Sequence, residues 1–341
     1  MTPSRLALMV ILACCLGGTA AADSGSAQTI ELNEQAAAGS PQDFALRTFQ
    51  TAVASGTHGK VVLKLHLSGA LGNAQTSVTN MMFGDLNLYA GNLTDYLPLM
   101  IDEMTGLQTP FLVPGITPAS RYLASPLLDE AREKVLHSRH VRFLEMTAIR
   151  SPFHLIAAKR EIATPADLVG LKLVSDRPLT KTAARVWQAL GVQYIGPLNV
   201  DVRTALESGQ ADAVLFTDLD AVVAHGVASI APHLAGVEDC PQLWQISINE
   251  GVWQHFDDSQ RTAVQAAAGK ALQVYESRTA EQFRKQLATL TARGHMTYHV
   301  LEASALRAKA FPVYPELVAE GGLSPRVLEA ANAALTTEPR P

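Results

Sequence analysis

Two short runs in the middle of the chain each predict a helix that is followed directly by a strand. In the first run, Thr164 can cap a helix that begins at Pro165. Gly170 can end this helix, and an apolar strand follows. In the second run, a helix ends near Gly209, and the apolar strand 213–216 follows it. Helices that alternate with buried strands predict an α/β fold.

The start of the mature sequence repeats this alternation. The pattern predicts a strand near Thr29, a helix over 41–54 and a second strand over 61–67. A strand, a helix and a strand in this order imply a right-handed crossover and a parallel sheet. The chain has 341 residues, of which 48% are apolar, and this exceeds the usual size of one hydrophobic core. We therefore expect two α/β lobes.

The longest uninterrupted helical pattern runs over 257–293. Asp257 and Asp258 can cap its first turn, and Gly294 can end it. A helix of this length is longer than one lobe.

The first 22 residues have the pattern of a secretory signal. One early cation, Arg5, precedes an apolar stretch over 6–16, and small residues lead to Ala22. This pattern predicts cleavage after Ala22 and a mature chain that begins at Asp23 and is exported to the periplasm. No later stretch reaches the roughly 20 apolar residues of a membrane-spanning helix, so we expect no insertion of the mature chain into a membrane.

The three cysteines leave one alternative open. Cys14 and Cys15 lie within the signal, so the mature chain holds Cys240 alone and can form no internal disulfide. Alternatively, Cys14 is the acylated residue of a lipoprotein, which would tether the protein to a membrane surface.

Charge and motifs argue against several functions. The net charge is −5, whereas a nucleic-acid-binding protein needs a basic surface, so we expect no nucleic-acid partner. Nucleophile elbows, zinc-protease motifs, phosphate loops and Cys-x-x-Cys pairs are absent from the sequence. We expect ordinary surface or packing roles for His295 and His299 and a capping role for Asp218. The sequence therefore predicts no catalysis, no cofactor and no metal.

The order and spacing of several landmarks resemble the solute-binding proteins of TRAP (tripartite ATP-independent periplasmic) transporters, the DctP-like family. The landmarks are Gly59-Lys60-Val61, Leu71-Gly72, Pro110-Phe111-Leu112, the two helix-strand runs, and the long helix after Trp253. The resemblance implies two lobes that close on a small ligand at a hinge and hand it to a membrane permease. It also implies that the long helix crosses both lobes and flexes during closure, with Gly269 as a candidate soft point.

With this resemblance, the chain divides into two lobes and two ends. Residues 1–22 are the signal, and 336–341 are expected to be a disordered tail. The first lobe takes 23–150 and 243–281, and the second takes 151–242 and 282–335.

The resemblance also indicates where ligand contacts are expected. Most members of the family bind organic acids through two arginines and an asparagine in the second lobe. At the matching positions this chain has Phe153, nine residues before Ile162; Val174, two after Lys172; and Phe216, four after Asp212. An unpaired carboxylate would be costly to bury against these side chains, so we expect a neutral or hydrophobic ligand and an apolar wall at these positions.

Three other interpretations of the site and function remain open. A shift of three residues in the match would bring in Arg150 or Arg177, and the chain would then bind an organic acid. Asn92 matches a polar position of the first lobe, and Tyr89 and Trp244 are further candidates for the pocket. The protein could also sense its ligand for a receptor instead of serving transport, or be an enzyme on a two-lobed fold, which the missing motifs disfavour.

Overall fold

A computed structural model describes residues 27–99, 102–149, 153–196, 199–292 and 296–336. The predicted signal with Cys14 and Ala22, the candidate Arg150, and Gly294 with His295 lie outside these ranges. So do residues 337–341 of the expected tail.

The described residues form strands and helices that alternate along the chain. The strands are β1 (Gln28–Asn33), β2 (Val61–His66), β3 (Leu88–Asn92), β4 (Val141–Ile149), β5 (His154–Ala158), β6 (Lys172–Ser175), β7 (Gln193–Tyr194), β8 (Ala213–Phe216), β9 (His233–Val237), β10 (Gln242–Asn249) and β11 (Thr297–Val300). The α-helices are α1 (Pro41–Gly56), α2 (Ala74–Phe83), α3 (Asp102–Thr105), α4 (Ile116–Leu123), α5 (Pro126–Arg139), α6 (Lys181–Ala189), α7 (Val202–Glu207), α8 (Leu219–Ala224), α9 (Glu250–Gln254), α10 (Asp258–Ala292), α11 (Ala303–Ala310), α12 (Val313–Ala319) and α13 (Pro325–Thr336). Short 3₁₀ turns cover Leu93–Leu99, Gly106–Gln108, Pro165–Leu168 and Val227–Ser229.

Two sheets form the centres of two lobes, as the sequence predicts. The first sheet has the strand order β2-β1-β3-β10-β4, and the second has the order β11-β9-β5-β8-β6-β7. β1 is parallel to β2 and β3, whereas β10 runs antiparallel to both of its neighbours. The chain passes from the first sheet to the second after β4 and returns between β9 and β10.

The predicted start and stop signals shape the local structure. Ser40 accepts a hydrogen bond from the Asp43 backbone N–H at the start of α1. The helix predicted at Pro165 is a single 3₁₀ turn, and the Asp167 carboxylate accepts the Thr164 backbone N–H at 2.8 Å. Gly170 then takes a φ of +74°, a conformation that side chains with a Cβ disfavour, and this turn leads into β6.

The long helix α10 crosses both lobes, which confirms the prediction. Its first half packs on α1 and the first sheet through side chains that include Ala268 and Tyr275. Its second half contacts α8, and Phe283 and Leu287 pack against the core of the second lobe. A single helix thus packs on both lobes.

The exact division into lobes stays a prediction, and one element departs from it. Helix α13 lies in the segment 282–335 that the sequence assigns to the second lobe. It packs instead against α4 and α5, which belong to the segment assigned to the first lobe.

Candidate functional site

A cavity of about 310 Å³ lies between the two lobes. Asn92 and Leu93 line it from the first lobe, and Leu107, Gln108 and Pro110 line it from the connection that follows. Gln242 and Leu243 of β10 line it as well, and the second lobe contributes most of the remaining wall. Those residues include Phe153, His154, Ser175, Asp176, Arg177, Trp187, Leu215, Thr217, Asp218 and Cys240.

The second-lobe wall forms where the parallel strands β6 and β8 end. Ligand sites in open α/β sheets lie beyond such carboxyl ends, because the loops there are free to diverge. Asp176, after β6, accepts the Thr217 hydroxyl at 3.2 Å, and this bond ties together the loops after the two strands. Asp218 caps α8 by accepting the Ala221 backbone N–H at 2.7 Å, which confirms its predicted capping role.

The structure brings three of the predicted site residues to this cavity. Phe153 lies in the wall of the second lobe. Asn92 faces it from the first lobe, and its Oδ1 is buried without a hydrogen-bond partner among the described residues. Arg177 is an exposed side chain at the cavity edge, and none of the ion pairs among the described residues involves it.

Val174 and Phe216 do not line this cavity, so the expected wall needs a correction. Both side chains are 0% exposed and pack in the core of the second lobe with Leu155 and other apolar side chains. Successive residues of a strand point to opposite faces, so their neighbours Ser175 and Leu215 face the cavity instead. Of the three positions in the expected apolar wall, only Phe153 lies at the cavity.

Tyr89 and Trp244 are buried in the first lobe and are absent from the cavity wall. The Tyr89 hydroxyl donates to Asp95 Oδ2 at 3.2 Å, and Trp244 Nε1 donates to Glu34 Oε2 at 3.2 Å. Both side chains therefore support the polar interior of the first lobe.

Reasoning from the sequence missed a histidine in the wall, His154, and the buried aspartate that contacts it, Asp239. His154 Nδ1 lies 2.6 Å from Oδ2 of the fully buried Asp239, whose Oδ1 has no partner among the described residues. The two residues are 85 positions apart and meet because β5 pairs with β9, so no local pattern could indicate them. The neighbouring Cys240 is a buried free thiol; burial and the nearby Asp239 raise its pKa, which disfavours a reactive thiolate.

Charge at the cavity is mixed. Burial raises the pKa of the Asp95 carboxyl, while hydrogen bonds from the Asn92 backbone N–H and the Tyr89 hydroxyl and the charge of Arg177 oppose that rise. Arg177 thus acts electrostatically across the cleft on the first lobe. Asp176 and Asp218 bring negative charge to the same wall.

The described residues hold neither a metal-binding cluster nor a membrane-spanning helix. No group of three or more His, Cys, Asp or Glu side chains in these ranges is arranged to hold a metal ion. None of the helices in these ranges combines the length and the apolar character needed to cross a membrane. His299, from the histidine pair, contacts Glu161 at 2.7 Å.

Known proteins similar in sequence cover the chain to different extents. A solute-binding protein of Verminephrobacter eiseniae is 25% identical over 312 residues, which cover 91% of this chain and 89% of that protein. The uncharacterized protein y4mM of Sinorhizobium fredii is 27% identical over 198 residues, which are 56% of this chain and only 35% of that longer protein.

Solved structures share the fold. A TRAP periplasmic solute-binding protein from Ochrobactrum anthropi, whose C-terminus is bound in its ligand-binding pocket, matches with a TM-score of 0.77 at 18% identity, over 91% of this chain and 95% of that one. A TRAP periplasmic solute-binding protein from Polaromonas, bound to D-erythronate, matches with a TM-score of 0.67 at 17% identity, over 92% and 99%.

The family model of the bacterial extracellular solute-binding proteins, family 7, matches residues 32–320. That span includes the second sheet, the first sheet except the start of β1, the residues that line the cavity and the whole of α10. The chain therefore belongs to this DctP-like family of TRAP periplasmic solute-binding proteins, as a divergent member.

Proposed function

We propose that this protein captures a small uncharged ligand between its two lobes in the periplasm and delivers it to a TRAP-type membrane permease, without catalysis. The supporting observation is Phe153, which lies in the cavity wall at a position where the family resemblance implies an arginine. Val174 and Phe216, at the other two positions, are buried in the core and supply no polar anchor to the cavity. A carboxylate beside Phe153 would find no cation at that position, and its burial without a partner is costly.

The ligand class can be tested on protein purified from its own host. Native mass spectrometry followed by organic extraction should yield a co-purified molecule without a carboxylate. Calorimetry against a panel of short-chain organic acids should detect no tight binding. A dicarboxylate that binds tightly to the unmodified protein would show that the neutral-ligand proposal is wrong.

A second candidate function is the binding of an organic acid through Arg177. Two observations favour it: this guanidinium lies at the cavity without an ion-pair partner among the described residues, and the related Polaromonas protein binds D-erythronate. Arg150, the other arginine considered, lies outside the described ranges.

If Arg177 binds a carboxylate, Arg177→Gln should strongly weaken the binding of that acid. Charge-assisted hydrogen bonds contribute about 1.5–3 kcal/mol, which corresponds to about a 10- to 150-fold higher Kd. Arg284→Gln, an exposed arginine on α10 away from the cavity, is the matched control and should leave Kd unchanged. If both variants bind the acid with equal affinity, Arg177 does not contact the acid.

Export and delivery need separate tests. N-terminal sequencing of the mature protein should begin at Asp23, whereas an acylated Cys14 would place the protein on a membrane surface. Deleting the permease genes of the host should abolish uptake of the identified ligand. Uptake that persists, together with a ligand-dependent receptor response, would favour a sensing role.

A further inference from the structure

His154 is a buried polar group that faces the cavity within a largely apolar part of the wall. It is the first residue of β5, its exposed fraction is 8%, and it lines the cavity beside Phe153. The two rings meet edge to face, with centroids 4.5 Å apart. The imidazole is therefore held in one orientation by its neighbours.

Asp239 determines which ring nitrogen carries the proton. An ionised carboxylate can only accept hydrogen bonds, so beside an ionised Asp239 the donor in the 2.6 Å contact is Nδ1. In a neutral ring Nε2 then has a free lone pair. No hydrogen bond joins Nε2 to another described residue, and the ring's open side is the cavity.

Asn92 presents a second unsatisfied acceptor from the opposite lobe. Its Oδ1 is buried and has no hydrogen-bond partner among the described residues, and the residue lines the same cavity. Buried polar atoms without a partner are costly, and a ligand that supplies the missing donor removes that cost. His154 Nε2 and Asn92 Oδ1 can each accept a hydrogen bond from a ligand. A hydroxyl group can donate such a bond, whereas an ionised carboxylate cannot.

We propose that His154, held by Asp239, is a specificity-determining residue of the cavity and that the ligand is a small polyol whose hydroxyl group donates to His154 Nε2. This inference rests on the proposed function, because it assigns a chemical class to the same uncharged ligand. Asp239 is a positioning residue, since it acts on the ligand only through the ring. The cavity volume of about 310 Å³ suits a molecule of a few carbon atoms.

The state of the ring can be measured without any ligand. Nitrogen NMR of the uniformly labelled full mature chain, at about pH 8 where ordinary histidines are neutral, should show His154 with a protonated Nδ1 and an unprotonated Nε2. The signal is assigned by its loss in His154→Gln, and His233→Gln, at a half-buried histidine that contacts Thr297, serves as the spectral control. A ring protonated at Nε2 in the unmodified protein would overturn the proposal.

Asp239→Asn tests the positioning role while leaving the His154 side chain in place. An amide can donate as well as accept, so the constraint on Nδ1 is relaxed and the population with a protonated Nε2 should rise. A merely structural role of Asp239 would change stability without moving this population. An unchanged tautomer population would therefore reject the positioning role.

Binding is tested with polyols of three to six carbons and with the acid counterpart of one of them, using erythritol and D-erythronate as the matched pair. We expect a polyol to bind and to shift the His154 Nε2 signal, and D-erythronate to bind more weakly than erythritol. The glutamine in His154→Gln can still donate a hydrogen bond to Asp239, so we expect the fold to be kept. The substitution should weaken polyol binding about tenfold. His233→Gln should bind like the unmodified protein.

The outcomes separate this inference from the proposed function. A polyol that binds His154→Gln as tightly as the unmodified protein rejects the role of His154 and leaves an uncharged ligand in place. Tighter binding of D-erythronate than of erythritol rejects the uncharged ligand itself. If no polyol of the panel binds at millimolar concentration, the polyol class is rejected.

Discussion

At the scale of single residues, Glu34 shows how burial alters the chemistry of the first lobe. Its side chain is 3% exposed, and it accepts hydrogen bonds from Trp244 Nε1 and from the Ala36 backbone N–H. Burial raises the pKa of this carboxyl to about 8, although these hydrogen bonds oppose the rise. The folded protein therefore keeps a proton near neutral pH that an unfolded chain releases.

This difference predicts a fall in stability as the pH rises. Between about pH 4.5 and about pH 8 the folded state binds more protons at Glu34 than the unfolded state, so the free energy of unfolding should decrease with pH. One pKa unit corresponds to about 1.4 kcal/mol, which sets the steepest slope per pH unit. Glu34→Gln should remove this slope. The amide keeps one acceptor oxygen, so it loses one of the hydrogen bonds that the two carboxyl oxygens accept, which costs about 1 kcal/mol at every pH.

Urea denaturation at several pH values measures both effects. Glu276→Gln, at an exposed glutamate on α10, is the control and should keep the slope of the unmodified protein. A Glu34→Gln variant with an unaltered pH slope would contradict the assignment of this proton to Glu34.

At the scale of elements, we expect a glycine-to-alanine substitution to have opposite effects on stability at two positions. A Cβ added at Gly269, within α10, would meet no atom closer than Glu145 Oε2 at 4.0 Å. A Cβ added at Gly56, the last residue of α1, would lie 2.9 Å from the Ala263 Cβ, where α1 packs on α10. The first position has room for alanine, whereas the second would force the two helices apart.

Gly269→Ala should therefore raise the free energy of unfolding by up to about 1 kcal/mol, since glycine is a poor helix former. Gly56→Ala should lower it by about 1–3 kcal/mol through overpacking. Urea denaturation of the two variants side by side tests the pair. Destabilisation by Gly269→Ala would mean that α10 needs the flexibility of glycine at this point.

The elements were largely predictable from the sequence, but the faces that they present were not. Strand and cap signals predicted β1, β2, the turn at Pro165 and the cap at Asp218 because these depend on neighbouring residues. Family resemblance located Val174 and Phe216 on the correct strands. It could not determine which face of each strand these positions occupy. In the structure that face is the core, and Ser175 and Leu215 lie at the cavity. The pairing of His154 with Asp239 depends on how the strands of the second sheet align, which no local pattern records.

At the scale of the whole molecule, charges on the two lobes act on each other across the cleft. The charge of Arg177, in the second lobe, opposes the rise that burial causes in the pKa of Asp95 in the first. Asp95→Asn should remove this attraction and shift the ligand-free protein towards a more open arrangement. Because Arg177 is exposed to solvent, the attraction contributes about 0–1 kcal/mol, so the open-to-closed ratio should change by at most about fivefold.

Fluorescence energy transfer between dyes on the two lobes measures this ratio. Asp85→Asn, at an exposed aspartate of the first lobe, is the control and should leave the transfer efficiency unaltered. The effect of Asp95→Asn should fade as salt is added, because solvent-exposed charges are screened. A shift that persists in high salt would point to a steric cause.

The position of β10 in the first sheet affects the timing of folding. β10 lies between β3 and β4, yet it follows β5 to β9 in the chain. If the chain becomes available from its N-terminal end onwards, β3 and β4 have no strand between them until residues 242–249 are available. The second sheet lacks its edge strand β11 until residues 297–300 follow. Such late, distant pairings slow folding, because a long loop must close before the contacts form. A chain threaded unfolded through an export channel would thus stay unfolded during passage, and its two halves would become complete only after most of it had crossed.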